Sequence, residues 1–516
     1  MTTINQPNVD VQILSATTAV QNITQKVLYI GQQGPGSTIN SGSLVENILN
    51  NDEDDFFDAD SMLSGMIRRG RLKNAVTQFD AITLDDDGGA VKSAGVVDFT
   101  SSVATESGDL EITIASETDF TLTVTVADTD TATAIGDALV TAIDANDDIP
   151  VTAVNTTGSV AITAVNGGTL GDTIGLSFSG TVAGVTVALT AMTGGAGDPS
   201  LTGIFDVVGD IRYQAIVWPY FADTTELITF LESRFNVDNK VLDGSGFTSS
   251  VDTFANHLTR LNALNSQTLT DFVDENVDEA AFKASSQFEL PYVKSSEFAA
   301  IRALRLSDGE PISQFVISSN GALDSFGGPA LASKPYFNTP MSLLPIVGTG
   351  RGFTDTEIKF LGDAGGTVIG NNVSKTDAIV GEVFTTYKTD VAGNPDPSFK
   401  FLNFVDTASG AREYFANNLR KRFSQSRLTT GDVSKGRDMA NELVIRSFCE
   451  KLYQDLSGPN FVLLESGEKA LVFFKNNLFI IIDKVLGRAT VTMKVPIVTQ
   501  LREIKATMQI SFTSEQ

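Results

Sequence analysis

The run Lys26-Val27-Leu28-Tyr29-Ile30-Gly31 decides the fold. Four consecutive apolar residues, closed by the turn sequence Gln32-Gln33-Gly34-Pro35-Gly36-Ser37, read as a buried strand. Downstream, Asp60 or Ser61 is placed to cap a helix carrying Met62, Leu63, Met66 and Ile67. Ser43 is placed to cap a shorter helix through Leu44, Val45, Ile48 and Leu49. From residue 201 the pattern returns, with a strand over 213–218, a helix over 224–235 and a strand over 315–318. A stretch punctuated by Pro329, Pro335, Pro340 and Pro345 follows. Strand–helix alternation implies an open sheet. The 516 residues make room for three or four domains at roughly 100–200 residues each. The expected fold class is α/β, as an α+β multidomain chain.

Residues 95–200 differ in character: Thr, Ala, Gly, Val and Asp dominate and Lys and Arg almost vanish. Alternating runs at 110–114, 120–126, 159–165, 174–178 and 185–189 predict strands, and 131–143 predicts one helix. This reads as a compact, mainly β domain inserted into another fold. Its limits are the loops Asp85-Asp86-Asp87-Gly88-Gly89 and Gly194-Gly195-Ala196-Gly197-Asp198-Pro199. The ends of an insertion lie close together, so its removal is expected to leave the remainder folded. Residues 85–200 hold 17 acidic residues against the single Lys92, a net of −16.

Residues 401–516 hold 16 basic and 12 acidic residues, a net of +4. A helix over 408–423 sets Ala411, Tyr414, Phe415, Leu419 and Phe423 on one face, with Arg412, Arg420, Lys421 and Arg422 around it. A second helix is expected over 438–456 and strands over 460–499. The chain closes on a period-2 run, with Ile504, Ala506, Met508, Ile510 and Phe512 alternating with polar residues. Val9, Val11 and Ile13 form a thinner alternation within a polar start. The expected division is an arm over 1–25, the first part of a core over 26–88 and the insert over 89–200. A middle α/β domain over 201–400, a C-terminal domain over 401–500 and a terminal strand arm over 501–516 follow.

Chemistry is sparse. His257 is the one histidine and Cys449 the one cysteine, which excludes a catalytic triad, a His-rich metal site, a zinc ribbon and an intramolecular disulfide. His257 reads as an ordinary helix residue and Cys449 as a buried, inert thiol. The loop Gly31-Gln32-Gln33-Gly34-Pro35-Gly36 has the wrong glycine spacing for a dinucleotide site. Asp52-Glu53-Asp54-Asp55 and Asp85-Asp86-Asp87 lack EF-hand spacing and read as solvated loops. The basic cluster Arg68-Arg69-Gly70-Arg71-Leu72-Lys73 reads as a helix end or a salt-bridge patch. The formal net charge of −27 argues against nucleic acid and anionic membranes. The best apolar stretch, 471–486, is broken by Lys475, Asn476, Asn477, Asp483 and Lys484, so no membrane span is expected. No signal peptide is read at the N-terminus, and assembly in a cytoplasm is expected. No enzyme, no cofactor and no metal are expected.

Several segments, taken in order, resemble the tail sheath proteins of contractile-tailed phages, the Mu-like type in particular. Val27-Leu28-Tyr29-Ile30-Gly31 followed by Asp58-Ala59-Asp60-Ser61-Met62-Leu63-Ser64-Gly65-Met66 is similar to their strand and helix, with that family's two glycines replaced. The end of the insert, 191–199, resembles the family, as do Trp218-Pro219-Tyr220-Phe221-Ala222-Asp223 and Phe404-Val405-Asp406-Thr407 running into Asn418-Leu419-Arg420-Lys421-Arg422-Phe423. So does the ending from Val495 through Leu501 to Phe512. The resemblance implies a structural subunit that polymerises as rings stacked around a tail tube. Contraction then drives the tube through the host envelope. It further implies strand donation to neighbours by the arms (Val9, Val11, Ile13; Ile504, Met508, Ile510, Phe512) and a basic helix (Arg412, Arg420, Lys421, Arg422) facing the tube. The implied partners are further copies, the tube protein, and baseplate and tail terminator proteins, in a virion tail assembled in the host cytoplasm. The Thr/Val/Gly/Asp block leaves a surface-layer or adhesin-like β protein as the alternative.

Overall fold

The computed structural model describes residues 25–498, apart from 101, 221–222, 236–240, 276–289, 308–315, 318–322, 325–335, 337–338, 342–351, 372–373, 375–377, 432, 434–438 and 459–463. Val9, Val11, Ile13, Ile504, Met508, Ile510 and Phe512 lie outside the described residues. So does most of the strand expected over 315–318, of which Val316–Ile317 is seen.

Strand β1 (Lys26–Gln32) forms where the apolar run predicts it, with residues 27–30 fully buried. Strand β2 (Leu44–Ile48) stands where a helix was expected. Five residues are too few to nucleate a helix, and the edge of the sheet supplies partners instead. After helices α1 (Asp52–Phe57) and α2 (Met62–Lys73) comes β3 (Gln78–Leu84), which pairs antiparallel with β2 and parallel with β1. Ser61 caps α2 as expected, its hydroxyl accepting from the Ser64 amide at 3.1 Å. Gly70, within α2, lies against the Tyr29 hydroxyl.

The acidic segment contributes β4 (Lys92–Asp98), β5 (Gly108–Ala115), β6 (Asp119–Val126), α3 (Ala132–Asp144), β7 (Val151–Thr156), β8 (Ser159–Gly167), β9 (Gly175–Ser179) and β10 (Ala188–Thr193). They form two antiparallel sheets, β10-β4-β8-β7 and β6-β5-β9. Helix α3 buries Ile135, Leu139 and Ile143 against them, and Thr131 caps it. The chain enters and leaves side by side, the Val91 amide donating to the Ala196 carbonyl (2.8 Å).

The main sheet is completed by β11 (Ala215–Val217), α4 (Thr224–Arg234), β12 (Ser245–Asp252), α5 (Phe254–Asn262), β13 (Leu269–Glu275), α6 (Pro291–Ser307), α7 (Asp355–Ala364) and β14 (Gly366–Thr367). The strand order is β14-β13-β12-β11-β1-β3-β2, and only β2 runs antiparallel. Helix α6, absent from the sequence expectations, is buried from Pro291 to Ala303 and packs on both the sheet and α2. Its buried charges are each paired: Lys294 with Asp274, Glu297 with Lys73 (3.1 Å) and Arg302 with Asp406.

Helix α8 (Leu402–Phe423) leaves this body, followed by α9 (Glu442–Ser457), α10 (Glu468–Asn476), β15 (Phe479–Asp483) and β16 (Arg488–Thr492). Helix α10 corrects the all-strand expectation for 460–499. Its buried Phe474 stacks on Tyr453 of α9 with centroids 4.4 Å apart, a contact with no period-2 signature. Leu402 of α8 belongs to the main core and Ala411 and Phe415 to a separate C-terminal core. One helix of 22 residues, about 33 Å long, is therefore shared by both.

The acidic and basic clusters meet at the seam between the insert and the main sheet. Asp52-Glu53-Asp54-Asp55 is the first turn of α1, with Glu53 buried, and not the solvated loop expected; carboxylates suit a helix start. Arg68, on α2, bridges Asp54 (2.5 Å) to Glu117 (3.0 Å) and Asp148 (3.3 Å) of the insert. Asp86 also departs from the solvated reading, accepting from Gln32 Nε2 (2.6 Å) and the Gly167 amide (2.9 Å). The seam bears on the expectation that the remainder folds without the insert. Removing the insert would take Asn166 from the Met62 amide, the Gly167 carbonyl from Gln32 and Glu117 from Arg68, while Gln32 keeps Asp86 and Tyr220 and Arg68 keeps Asp54.

Two predictions follow from this packing. A helix gains about 1 kcal/mol from Gly→Ala, but overpacking costs about 1–3 kcal/mol. Gly70→Ala should therefore lower stability in denaturant titration. Tyr29→Phe removes a buried hydroxyl that has no hydrogen-bond partner among the described residues, and should restore part of the loss. Asp60, beside Asp58 and near Asp147 at the seam, is pushed up to about 6, first by burial and then by Asp58. Because its folded value exceeds its unfolded one, the stability it confers is full at low pH and is lost as pH rises through about 6. Asp60→Asn should raise the thermal midpoint at pH 7.5 relative to wild type and erase that difference at pH 4.

Candidate functional site

Open α/β sheets bind ligands outside the carboxyl ends of their strands, where the strand order reverses. Here that point lies at β1, between β3 and β11, and side chains fill it. Gln32 at the end of β1 donates to the Gly167 carbonyl (2.8 Å) and accepts from Tyr220, and both side chains are buried. The start of α2, an anion-binding position in other folds, is occupied by the Asn166 side chain. Asn166 Oδ1 accepts from the Met62 amide (2.9 Å), and its Nδ2 donates to the Gln33 carbonyl (2.8 Å). Gly36 turns its amide onto Asp58 (2.7 Å), so the glycine loop after β1 closes on protein groups.

The isolated candidate residues are likewise engaged. His257 sits on α5, fully buried, with Nε2 at 2.7 Å from the Asp274 carbonyl and Nδ1 at 2.9 Å from Arg260 Nη2. Burial holds its imidazole below the usual value, and the two partners set an Nε2–H tautomer. Cys449 is buried in the C-terminal core, and burial pushes its thiol up to about 11, which keeps it unreactive. Arg71 donates to the Thr77 carbonyl (2.9 Å) and to the Ile48 carbonyl, so the basic cluster of α2 is internal wiring. Among the described residues no group of three His, Cys, Asp or Glu is placed to hold a metal, and no helix is long and apolar enough to cross a membrane.

Among the described residues, the C-terminal unit carries an exposed apolar surface. Strands β15 and β16 make a two-stranded antiparallel sheet. Ile480 and Ile482 turn inward, while Phe479 and Ile481 point outward, Ile481 with 69% of its surface exposed. The hairpin tip adds Val485 and Leu486, and α10 adds Val472 and Phe473, all exposed. The four basic positions of α8 divide. Arg412 is held against the main body by Asp243 (2.5 Å). Arg420, Lys421 and Arg422 are exposed in the last turn, where cations suit the helix dipole. Sequence reasoning read the α8 faces but missed the hairpin surface; its signal was the apolar repeat 478–482 ending in Asp483 and Gly487.

No family model matches the sequence, and no curated protein sequence matches it. Solved structures do. A sheath tail protein from Desulfitobacterium hafniense is 13% identical, with 92% of each chain covered and a TM-score of 0.42. A sheath tail protein from Listeria innocua is 12% identical, with 92% of each covered and a TM-score of 0.44. The helical sheath of the anti-feeding prophage in its contracted state is 11% identical over 98% of this chain and 99% of that one, with a TM-score of 0.44.

Proposed function

We propose that this chain is a non-enzymatic structural subunit of a contractile tail sheath, polymerising as stacked rings around a tube and contracting to drive the tube through a host envelope. The observation that carries the reading is the sheet β15–β16, which has two strands among the described residues. A two-stranded sheet is at best marginally stable alone. A strand edge unpaired among the described residues, beside exposed Phe479 and Ile481, is a template for added strands. Segments patterned to serve as such strands lie at both chain ends, at Val9, Val11 and Ile13 and at Ile504, Met508, Ile510 and Phe512. Strands donated by neighbouring copies would complete the sheet through backbone hydrogen bonds. Such links tolerate rigid-body rotation of the bodies they join.

In this reading the division into arms, core, insert and C-terminal domain is functional. Arg420, Lys421 and Arg422 face the tube protein, while Arg412 serves the subunit's own joint. The acidic insert faces outward, where its charge keeps particles apart. Baseplate and terminator proteins would bound the stack, in a virion tail assembled in the host cytoplasm, with no contact to nucleic acid or membrane needed.

Negative-stain microscopy of the purified full chain should show hollow striated tubes of constant width. Flat lattices would instead support the surface-layer reading. Removing residues 1–20, removing 502–516, or substituting Ile481→Lys should each leave folded protein that forms no tubes. Tubes from both truncations would refute strand exchange.

A further inference from the structure

The root of the N-terminal arm and the base of α8 meet in one cleft. Gln25, the first described residue, lines it together with Gln214, Ser245, Arg302, Asp406 and Glu413. A continuous chain of hydrogen bonds crosses it. The Lys26 amide donates to Gln214 Oε1 (2.8 Å), and the Gln214 amide returns a bond to the Lys26 carbonyl (3.2 Å). Arg302 Nη1 donates to the Gln214 carbonyl, and the same guanidinium grips Asp406 of α8 through Nε (3.3 Å) and Nη2. Tyr336 holds the other side of that carboxylate (2.6 Å). Gln214, Arg302, Tyr336 and Asp406 are all nearly fully buried. A second row lies alongside: Arg212 to Glu413 (2.6 Å), Arg412 to Asp243 (2.5 Å) and Ser409 to Asp243 (2.7 Å). Asp406, Ser409 and Glu413 therefore bind the body from one side of α8, while Ala411 and Phe415 enter the C-terminal core.

We propose that Lys26, Gln214, Arg302 and Asp406 form an internal load path that couples the N-terminal arm to the C-terminal unit of the same chain. Tension on the arm enters at the Lys26 amide and passes through Gln214 and Arg302 into α8. Helix α8 then carries it as a strut into the core beneath β15–β16. Both strand-exchange elements of one subunit are thereby tied by side chains that solvent does not reach, so a pull on one is felt at the other. The path stands on geometry within one chain; its use in an assembly rests on the sheath reading.

The test is made on the unassembled full chain, so that its failure is distinct from a failure to form tubes. With optical-tweezer handles at positions 20 and 430, wild type should release β1 and α8 in one rupture. Gln214→Ala, which removes the acceptor of the Lys26 amide, should lower that rupture force and split it into two events. Lys26→Met keeps the backbone amide but loses the ammonium contacts to Glu46 and Asp80, and should leave the rupture unsplit. Hydrogen exchange gives a second readout. Gln214→Ala and Asp406→Asn should each accelerate exchange of the amides over 405–416, and Lys26→Met should not. An unsplit, unchanged rupture in Gln214→Ala, or equal exchange at 405–416 in all three variants, overturns the proposal.

Discussion

The buried ion pair between Arg302 and Asp406 is the constraint around which the main body is organised. Both residues are almost wholly out of solvent, and removing one partner from such a pair costs about 3–5 kcal/mol because the other charge is stranded. Burial opposes the charge of Arg302, while Asp406 and Tyr336 restore it and hold the guanidinium above its ordinary value. The pair works only if α6 lies against β11 and β12 and if α8 begins where it does. Lys294 and Glu297 repeat the logic on the same helix, fixing α6 to Asp274 and to Lys73. Three charges on a buried helix set its rotation and its register, which apolar packing alone would leave degenerate.

The seven-stranded sheet carries the architecture of a ligand-binding fold with its usual site filled. Gln32, Tyr220 and Asn166 fill the crevice at the strand ends, and Asn166 belongs to the insert. The insert is thus wedged where a substrate would sit in other open sheets. Residues 85–200 carry a net charge of −16, while residues 401–516 carry +4.

Much of this was legible locally. The run 26–31 announced β1, Ser61 announced the cap of α2, the run 131–143 announced α3, and the spacing of Ala411, Phe415 and Leu419 announced the buried face of α8. The errors share a cause. Residues 44–48 and 468–476 are short, and for short apolar runs the nearest partner chooses between helix and strand. The first found the edge of β3 and the second found Tyr453. Helix α6 buries Lys294, Ser295, Ser296, Glu297 and Arg302 along with its apolar residues, so its polar positions do not mark a solvent face. Asp54 and Arg412 read as surface charges, because their partners lie 14 and 169 residues away in sequence.

By itself, then, the sequence determined that residues 27–30 are buried, that Ser61 begins a helix, that the chain holds one histidine and one cysteine, and that its charge is split between an acidic segment and a basic end. These properties are written in short-range periodicity, capping and composition. The tertiary structure alone decided that Asn166 fills the crevice, that Arg412 turns inward while Arg420, Lys421 and Arg422 do not, and that Phe479 and Ile481 of the β15–β16 sheet face outward. Each of these depends on what a side chain or strand edge meets from a distant part of the chain, and that meeting is settled by packing and desolvation when the whole molecule closes.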